Sequence, residues 1–163
     1  MDGFCVPKVS SGEEMSKVND LLTDIEEAHM MPKNHYKTLV QIETTQGFSN
    51  MKDIFEAGRP RVVAAAFGAD DFLTDFGIKR EYNREELDFA RKLFALECHA
   101  ANVVSIDTPY VAYKDIEGLR EELRYLRSIG MKAKFAIHPS QIDVINEEFL
   151  PSPEEITYAR NLV

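Results

Sequence analysis

No stretch of this sequence approaches the roughly 18 consecutive apolar residues that a membrane span requires. Basic residues are also scarce. Nineteen Lys and Arg stand against 28 Asp and Glu, giving a formal charge of −9 and a pI near 5.0. No basic patch can offset such a field, which argues against a nucleic-acid backbone or an anionic membrane surface as partner. Cysteine is limited to Cys5 and Cys98, each isolated in an apolar run without paired spacing. They are expected to be buried free thiols in a reducing compartment, cytoplasm or mitochondrial matrix. Met1-Asp2-Gly3 is neither basic nor apolar, so no targeting segment is expected in this chain. Glycine-rich phosphate turns are missing too: no apolar run leads into G-x-G-x-x-G or a Walker sequence. Linkers, internal repeats and composition shifts are not seen, which predicts one domain over residues 1–163.

What the chain does have is 44% hydrophobic residues in 163, enough for a sizeable core. Five short apolar runs stand out: FCVPKV from Phe4, TLVQIET from Thr38, VVAAAFG from Val62, VVSIDTP from Val103 and AKFAIHP from Ala133. Their starts lie 34, 24, 41 and 30 residues apart, a spacing too wide for hairpins and suited to strand-helix-strand units. A parallel α/β sheet follows. Between the runs, Ser11 with Glu14, Asn83 with Glu86, and Ser152-Pro153 with Glu155 read as helix starts. The apolar residues Leu87, Ala90, Leu93, Phe94, Leu96 and Ala100 predict one buried helical stripe, and Ile116, Leu119, Leu123, Leu126 and Ile129 predict another. Gly130 fits the residue after a helix, where positive φ is cheap.

Parallel strands joined by helices form an open doubly wound sheet or a closed barrel. Without a glycine-rich turn the barrel is favoured, a TIM-type (β/α)8 fold. That fold needs about eight strands, and the chain predicts five. The sequence is therefore expected to supply about the last five β/α units, with earlier strands and a C-terminal lid absent.

Strand C-terminal ends converge on one rim, where ligands bind in this architecture. Glu43 closes the second run and Asp71 lies just past the third, in FGADDF from Phe67. Two carboxylates with open coordination positions suit a hard octahedral cation, Mg²⁺, with Mn²⁺ as an alternative. Equally, an acid after an apolar run is often a helix cap, and Asp70 or Asp71 could cap a short helix beginning near Phe72. Spacing alone leaves both open.

Several segments together carry a further signal: PKV at Pro7, QIET at Gln41, FGADDF at Phe67, IDTPYVAYKDIEGL at Ile106, AIHPSQI at Ala136 and FLPSPEEI at Phe149. In this order they resemble the citrate lyase beta-subunit-like family, which includes citramalyl-CoA and malyl-CoA lyases and is related to the HpcH/HpaI aldolases. The resemblance implies a Mg²⁺ site on Glu43 and Asp71, with Asp70 in a supporting role. It also implies that backbone N–H groups around Ala69 and Asp70 hold a keto-acid carboxylate. The implied activity is cleavage of a 3-hydroxyacyl-CoA of the citramalyl-CoA, malyl-CoA or citryl-CoA type into an acyl-CoA and a small keto acid, in a homo-oligomer. The arginine and lid acid that the family uses at the enolate find no matching position in this chain. A second reading follows: a partial barrel that keeps the fold but not the catalysis.

Other residues have simpler roles in view. Lys8 faces either substrate or an acid across the barrel, and Asp107 either substrate or its own loop. His138 reads as a hydrogen-bonded structural histidine.

Overall fold

The five apolar runs become five strands: β1 (Gly3–Val6), β2 (Lys37–Ile42), β3 (Val62–Phe67), β4 (Val104–Asp107) and β5 (Ala133–Lys134). All four pairings are parallel and the order is β1-β2-β3-β4-β5. The structure, a computed structural model, describes residues 2–81 and 85–162. The helices are α1 (Gly12–Ala28), α2 (Thr45–Ser49), α3 (Met51–Ala57), α4 (Ala69–Phe76), α5 (Glu85–Ala101), α6 (Ile116–Ser128), α7 (Ile142–Phe149) and α8 (Pro153–Asn161).

Strand order decides the architecture. A doubly wound sheet reverses its order at a switch point, whereas here every strand pairs with its neighbour in sequence. Right-handed crossovers then place successive helices on the same face, which is the arrangement of a barrel sector. Burial agrees. Thr38, Val40 and Ile42 on β2, with Ala65 and Phe67 on β3, are buried; Val40, Ile42, Ala65 and Phe67 join Met15, Ile54, Phe55 and Phe94 in the main core. The alternate residues Leu39, Gln41 and Ala64 are only partly buried, and Val104 is exposed. The described residues thus form a partial barrel of five parallel strands, sealed outside and open inside.

Local signals account for most helix boundaries. The Ser11 side chain accepts from the N–H of Glu14, and Ser152 with Glu155 forms a complete capping box at α8. After α6, Gly130 adopts φ 92° and the N–H of Met131 returns to the carbonyl of Leu126. Asn83, expected as a cap, lies outside the described residues. Two expectations need correction. On α5 the buried stripe is Leu87, Ala90, Arg91, Phe94, Ala95 and Cys98, at regular three- and four-residue steps, and it leaves Leu96 and Ala100 exposed. Cys5 is exposed, because the inner face of β1 is open; Cys98 is buried as expected, and both thiols are free.

Two charged groups are sealed beneath the helices. At the N-terminal side of the sheet, Arg61 donates to both oxygens of Glu26 on α1, one at 2.8 Å, and the N–H groups of Asn34 and Tyr36 complete that carboxylate's shell at 2.9 and 3.0 Å. Between α5, α6, β4 and β5, the fully buried Asp107 meets Arg91 through two bonds of 2.9 Å and Lys134 through one of 2.6 Å. Glu122 completes that cluster, 2.6 Å from Lys134 and 3.2 Å from Arg91. No described helix is long and apolar enough to cross a membrane.

Candidate functional site

Glu43 follows the last residue of β2 and is only 8% exposed. Burial of a carboxylate is costly without partners, and here the backbone N–H of Lys8 donates to its Oε2 at 2.9 Å. Lys8 takes a left-handed backbone, φ 53°, as the chain turns away from β1. The Glu43 side chain lies across Gly68, at the neighbouring strand end. A Cβ on Gly68 would stand 2.3 Å from Glu43 Cγ and 2.8 Å from its Oε1. Only glycine admits this close approach.

Asp71 arrives from β3. That strand ends at Phe67, Gly68 serves as N-cap without a side-chain bond, and α4 begins at once with Ala69. Asp70 and Asp71 therefore sit inside the first turn, and neither caps a helix starting near Phe72. Their position is favourable on other grounds, since first-turn N–H groups lack intrahelical acceptors and the helix start carries partial positive charge. Asp70 pairs with Arg80 at 2.7 Å, and Asp71 with the Lys8 ammonium at 3.4 Å. The Asp71 side chain is 53% exposed, so the latter pair is weak. One turn further on, Asp75 accepts from the hydroxyl and N–H of Thr45, which together hold its carboxyl below the usual carboxylate range.

Glu43, Gly68, Ala69, Asp71, Thr108 and Phe135 line a common cavity of about 240 Å³, to which Asp70 also contributes. A larger cavity, about 340 Å³, is lined by Arg80, Leu87, Tyr110 and Glu122 and contains neither Glu43 nor Asp71. Chemistry rather than volume selects the smaller one. Among the described residues no group of three or more His, Cys, Asp or Glu gathers as an all-protein metal cage. Two carboxylates on one cavity nevertheless fit Mg²⁺, which commonly keeps waters and takes one or two protein carboxylates plus substrate oxygens. The donor set is all oxygen, with an exposed member beside a buried one.

Lys8 meets an acid, Asp71. The substrate-side reading of Asp107 is overturned by position: its side chain is turned outward beneath the helices, both oxygens are occupied, and it does not line the cavity. Burial by itself would push its carboxyl up, but Lys134 and Arg91 outweigh that and hold it below the usual range. His138 Nδ1 lies 2.8 Å from the Ser140 hydroxyl at the start of a short 3₁₀ turn, and its ring stacks on Tyr113 with centroids 4.7 Å apart. Gly68, Thr45 and Asp75 escape a reading by charge and strand ends, although the glycine directly before A-D-D is itself a signal of close backbone approach.

Residues 1–139 match the family model described as HpcH/HpaI aldolase/citrate lyase. The chain is 29% identical over 163 residues to citrate lyase subunit beta of Leuconostoc mesenteroides, covering 100% of this chain and 54% of that protein. It is 32% identical over 162 residues to a (3S)-malyl-CoA thioesterase of Cereibacter sphaeroides, covering 99% and 52%. Among solved structures, a magnesium/glyoxylate complex of Haloferax volcanii malate synthase superposes with a TM-score of 0.84 and 25% identity, over 94% of this chain and 46% of that one. The chain spans about half the length of the curated relatives it matches.

Proposed function

Because this chain belongs to the HpcH/HpaI aldolase/citrate lyase family, we propose that it carries the metal-binding half of a carbon–carbon lyase acting on a 3-hydroxyacyl-CoA ester. The observation that carries the reading is that Glu43, Asp71 and the first turn of α4 line one cavity. The citrate lyase and malyl-CoA relatives support a CoA ester as substrate, and the malate synthase complex supports magnesium. Citramalyl-CoA, malyl-CoA and citryl-CoA are the candidate substrates.

In the reaction, the bond between the hydroxyl-bearing carbon and the carbon next to the thioester breaks. Its electron pair stays with the acyl-CoA fragment, which then takes up a proton. The hydroxyl loses its proton and becomes the carbonyl of the keto acid. Glu43 and Asp71 would hold Mg²⁺, which when bound supplies Lewis-acid polarisation of the keto-acid oxygens. The N–H groups of Ala69 and Asp70, at the positive end of α4, orient the keto-acid carboxylate. Gly68 keeps Glu43 seated, and Phe135 and Thr108 form part of the wall against which the substrate would lie. Charge on the acyl-CoA enolate requires a cation and an acid. The family resemblance puts these in an arginine and a lid acid without counterparts in this chain. Turnover is accordingly proposed for an assembly in which further polypeptide supplies them and completes the barrel, residues 1–163 forming one domain that is the C-terminal part of it, with homo-oligomerisation proposed in addition.

The test is an acyl-CoA cleavage assay on that assembly, following keto-acid release and free thiol separately, with and without EDTA. Keto acid should appear without free thiol, EDTA should stop it, and Asp71→Ala should lower the rate on the order of 100-fold or more. EDTA-insensitive cleavage or full activity in Asp71→Ala would defeat the reading. Release of free thiol as the first product would instead favour the hydrolysis named for the malyl-CoA thioesterase relative.

A further inference from the structure

A pair of bonds links the segment carrying Glu43 to the helix carrying Asp71. Thr45 lies two residues after Glu43, and its N–H and hydroxyl both donate to Oδ2 of Asp75, at 2.7 and 2.6 Å. Asp75 stands four residues after Asp71 on α4, so the two side chains share a helix face. The link therefore runs between the rims of β2 and β3, and each rim bears one carboxylate of the pair.

The two carboxylates differ in how firmly they are held. Glu43 is buried, lies against Gly68 and accepts the Lys8 N–H. Asp71 is more than half exposed, and its Lys8 contact at 3.4 Å is between two exposed groups. Its helix has eight residues, too few to be stable without tertiary contacts. Ala69, Phe72 and Leu73 anchor the apolar side of α4 in the core. On the polar side, the Thr45 bonds to Asp75 set where the first turn stands relative to the β2 rim. Both converge on one oxygen, so a single acceptor fixes the spacing of the two rims.

We infer that Asp75 is a positioning residue for the divalent-cation site, holding Asp71 in register with Glu43 through Thr45. The inference rests on the reading of Glu43 and Asp71 as ligands. Removing a group that orients a ligating side chain lowers metal affinity typically by about 10- to 100-fold, and that is the effect assigned to loss of Asp75. Tying the β2 rim to α4 differs from simply adding negative charge near the cation. An asparagine oxygen can accept both Thr45 donors while carrying no charge, so the two explanations separate.

The experiment titrates Mn²⁺ into wild type, Asp71→Ala, Asp75→Ala, Asp75→Asn and Thr45→Ala, following free Mn²⁺ by electron paramagnetic resonance, with thermal unfolding recorded in parallel. Wild type should bind saturably and Asp71→Ala should not; failure of either removes the ligand reading itself, and with it this inference. Given that baseline, Asp75→Ala should weaken binding about 10- to 100-fold while Asp75→Asn stays close to wild type. Thr45→Ala keeps the N–H donor and should fall between them, and the Thr45→Ala/Asp75→Ala double variant should be no worse than Asp75→Ala. If Asp75→Ala does not fold, the ranking of Thr45→Ala below Asp75→Asn decides instead. Wild-type affinity in Asp75→Ala, or equal losses in Asp75→Asn and Asp75→Ala, would overturn positioning as its role.

Discussion

Replacing Asp107 by asparagine isolates the electrostatic part of the sealed charge cluster, because the two side chains have nearly the same shape and no cavity is created. In the native protein two cations, Arg91 and Lys134, are balanced by two anions, Asp107 and Glu122, and the Arg91, Lys134 and Asp107 side chains are at most 1% exposed. Asp107→Asn leaves both cations sharing Glu122, one uncompensated positive charge on side chains that are almost wholly shielded from solvent. Removing one partner of a buried pair costs about 3–5 kcal/mol. That is a large fraction of the roughly 5–15 kcal/mol by which domains are stable. For a chain of this length, about 2–4 °C per kcal/mol converts the loss to a melting-temperature drop on the order of 6–20 °C. The assay is urea and thermal unfolding at pH 7, followed by circular dichroism. The Asp107 carboxyl is held below its ordinary value, so its stabilisation is present above the unfolded-state pKa and is lost as pH falls through the folded-state value. The gap between wild type and variant should therefore narrow in acid. A loss under about 1 kcal/mol at pH 7, or a gap that widens in acid, would refute the account of this cluster as a balanced buried network.

A second carboxylate gives a distinct pH signature. Hydrogen bonds from Arg61, opposed by burial and aided by the N–H groups of Tyr36 and Asn34, hold Glu26 down to about 2. Its contribution to stability is thus complete above the ordinary glutamate range and lost as pH falls from there through about 2; Glu26→Gln should flatten that part of an acid-unfolding profile, and an unchanged profile would count against it. At the cavity, Gly68→Ala places a methyl 2.3 Å from Glu43 Cγ and must displace that side chain. Mn²⁺ affinity should fall in Gly68→Ala by at least about tenfold, the scale of a misplaced ligand, with far-ultraviolet circular dichroism unchanged.

The architecture was legible because it depends on repeating signals. Each predicted strand overlaps an observed one, since an apolar run of β-branched and small residues has few other ways to bury itself between helices. Ser11, Ser152 and Gly130 announced helix boundaries through side-chain or φ requirements that act locally. The start of α4 was misplaced for the complementary reason: Gly68 caps it without a side-chain bond, so nothing in the sequence marks the boundary. Leu96 was expected inside because it is apolar, whereas Arg91, at the correct spacing, was not expected in a buried stripe. Its partners explain it, but they arrive from β4, α6 and β5, and pairing over such separations has no local signature. The role of Asp107 stayed open between substrate and loop for the same reason. An acid at a strand end reads the same whether it faces the open rim or lies outside beneath the helices, and only the alternation of the strand, once registered, tells them apart.

Sequential strand order also has a consequence for how such a chain can be rebuilt. Neighbour-only pairing makes the sheet a linear array in which each β/α unit leans on the units flanking it, so its energetics approach a sum of unit and junction terms, as in repeat proteins. Glu43, Gly68, Asp71 and the Thr45–Asp75 link all fall within the β2–α4 block, whereas Thr108 and Phe135 reach the cavity from the β4 and β5 blocks. The charge-bearing module and the wall-forming modules are consequently separable parts: recombination at unit junctions can exchange the shape of the cavity while transmitting the carboxylate pair, its glycine and its tether as one inherited piece.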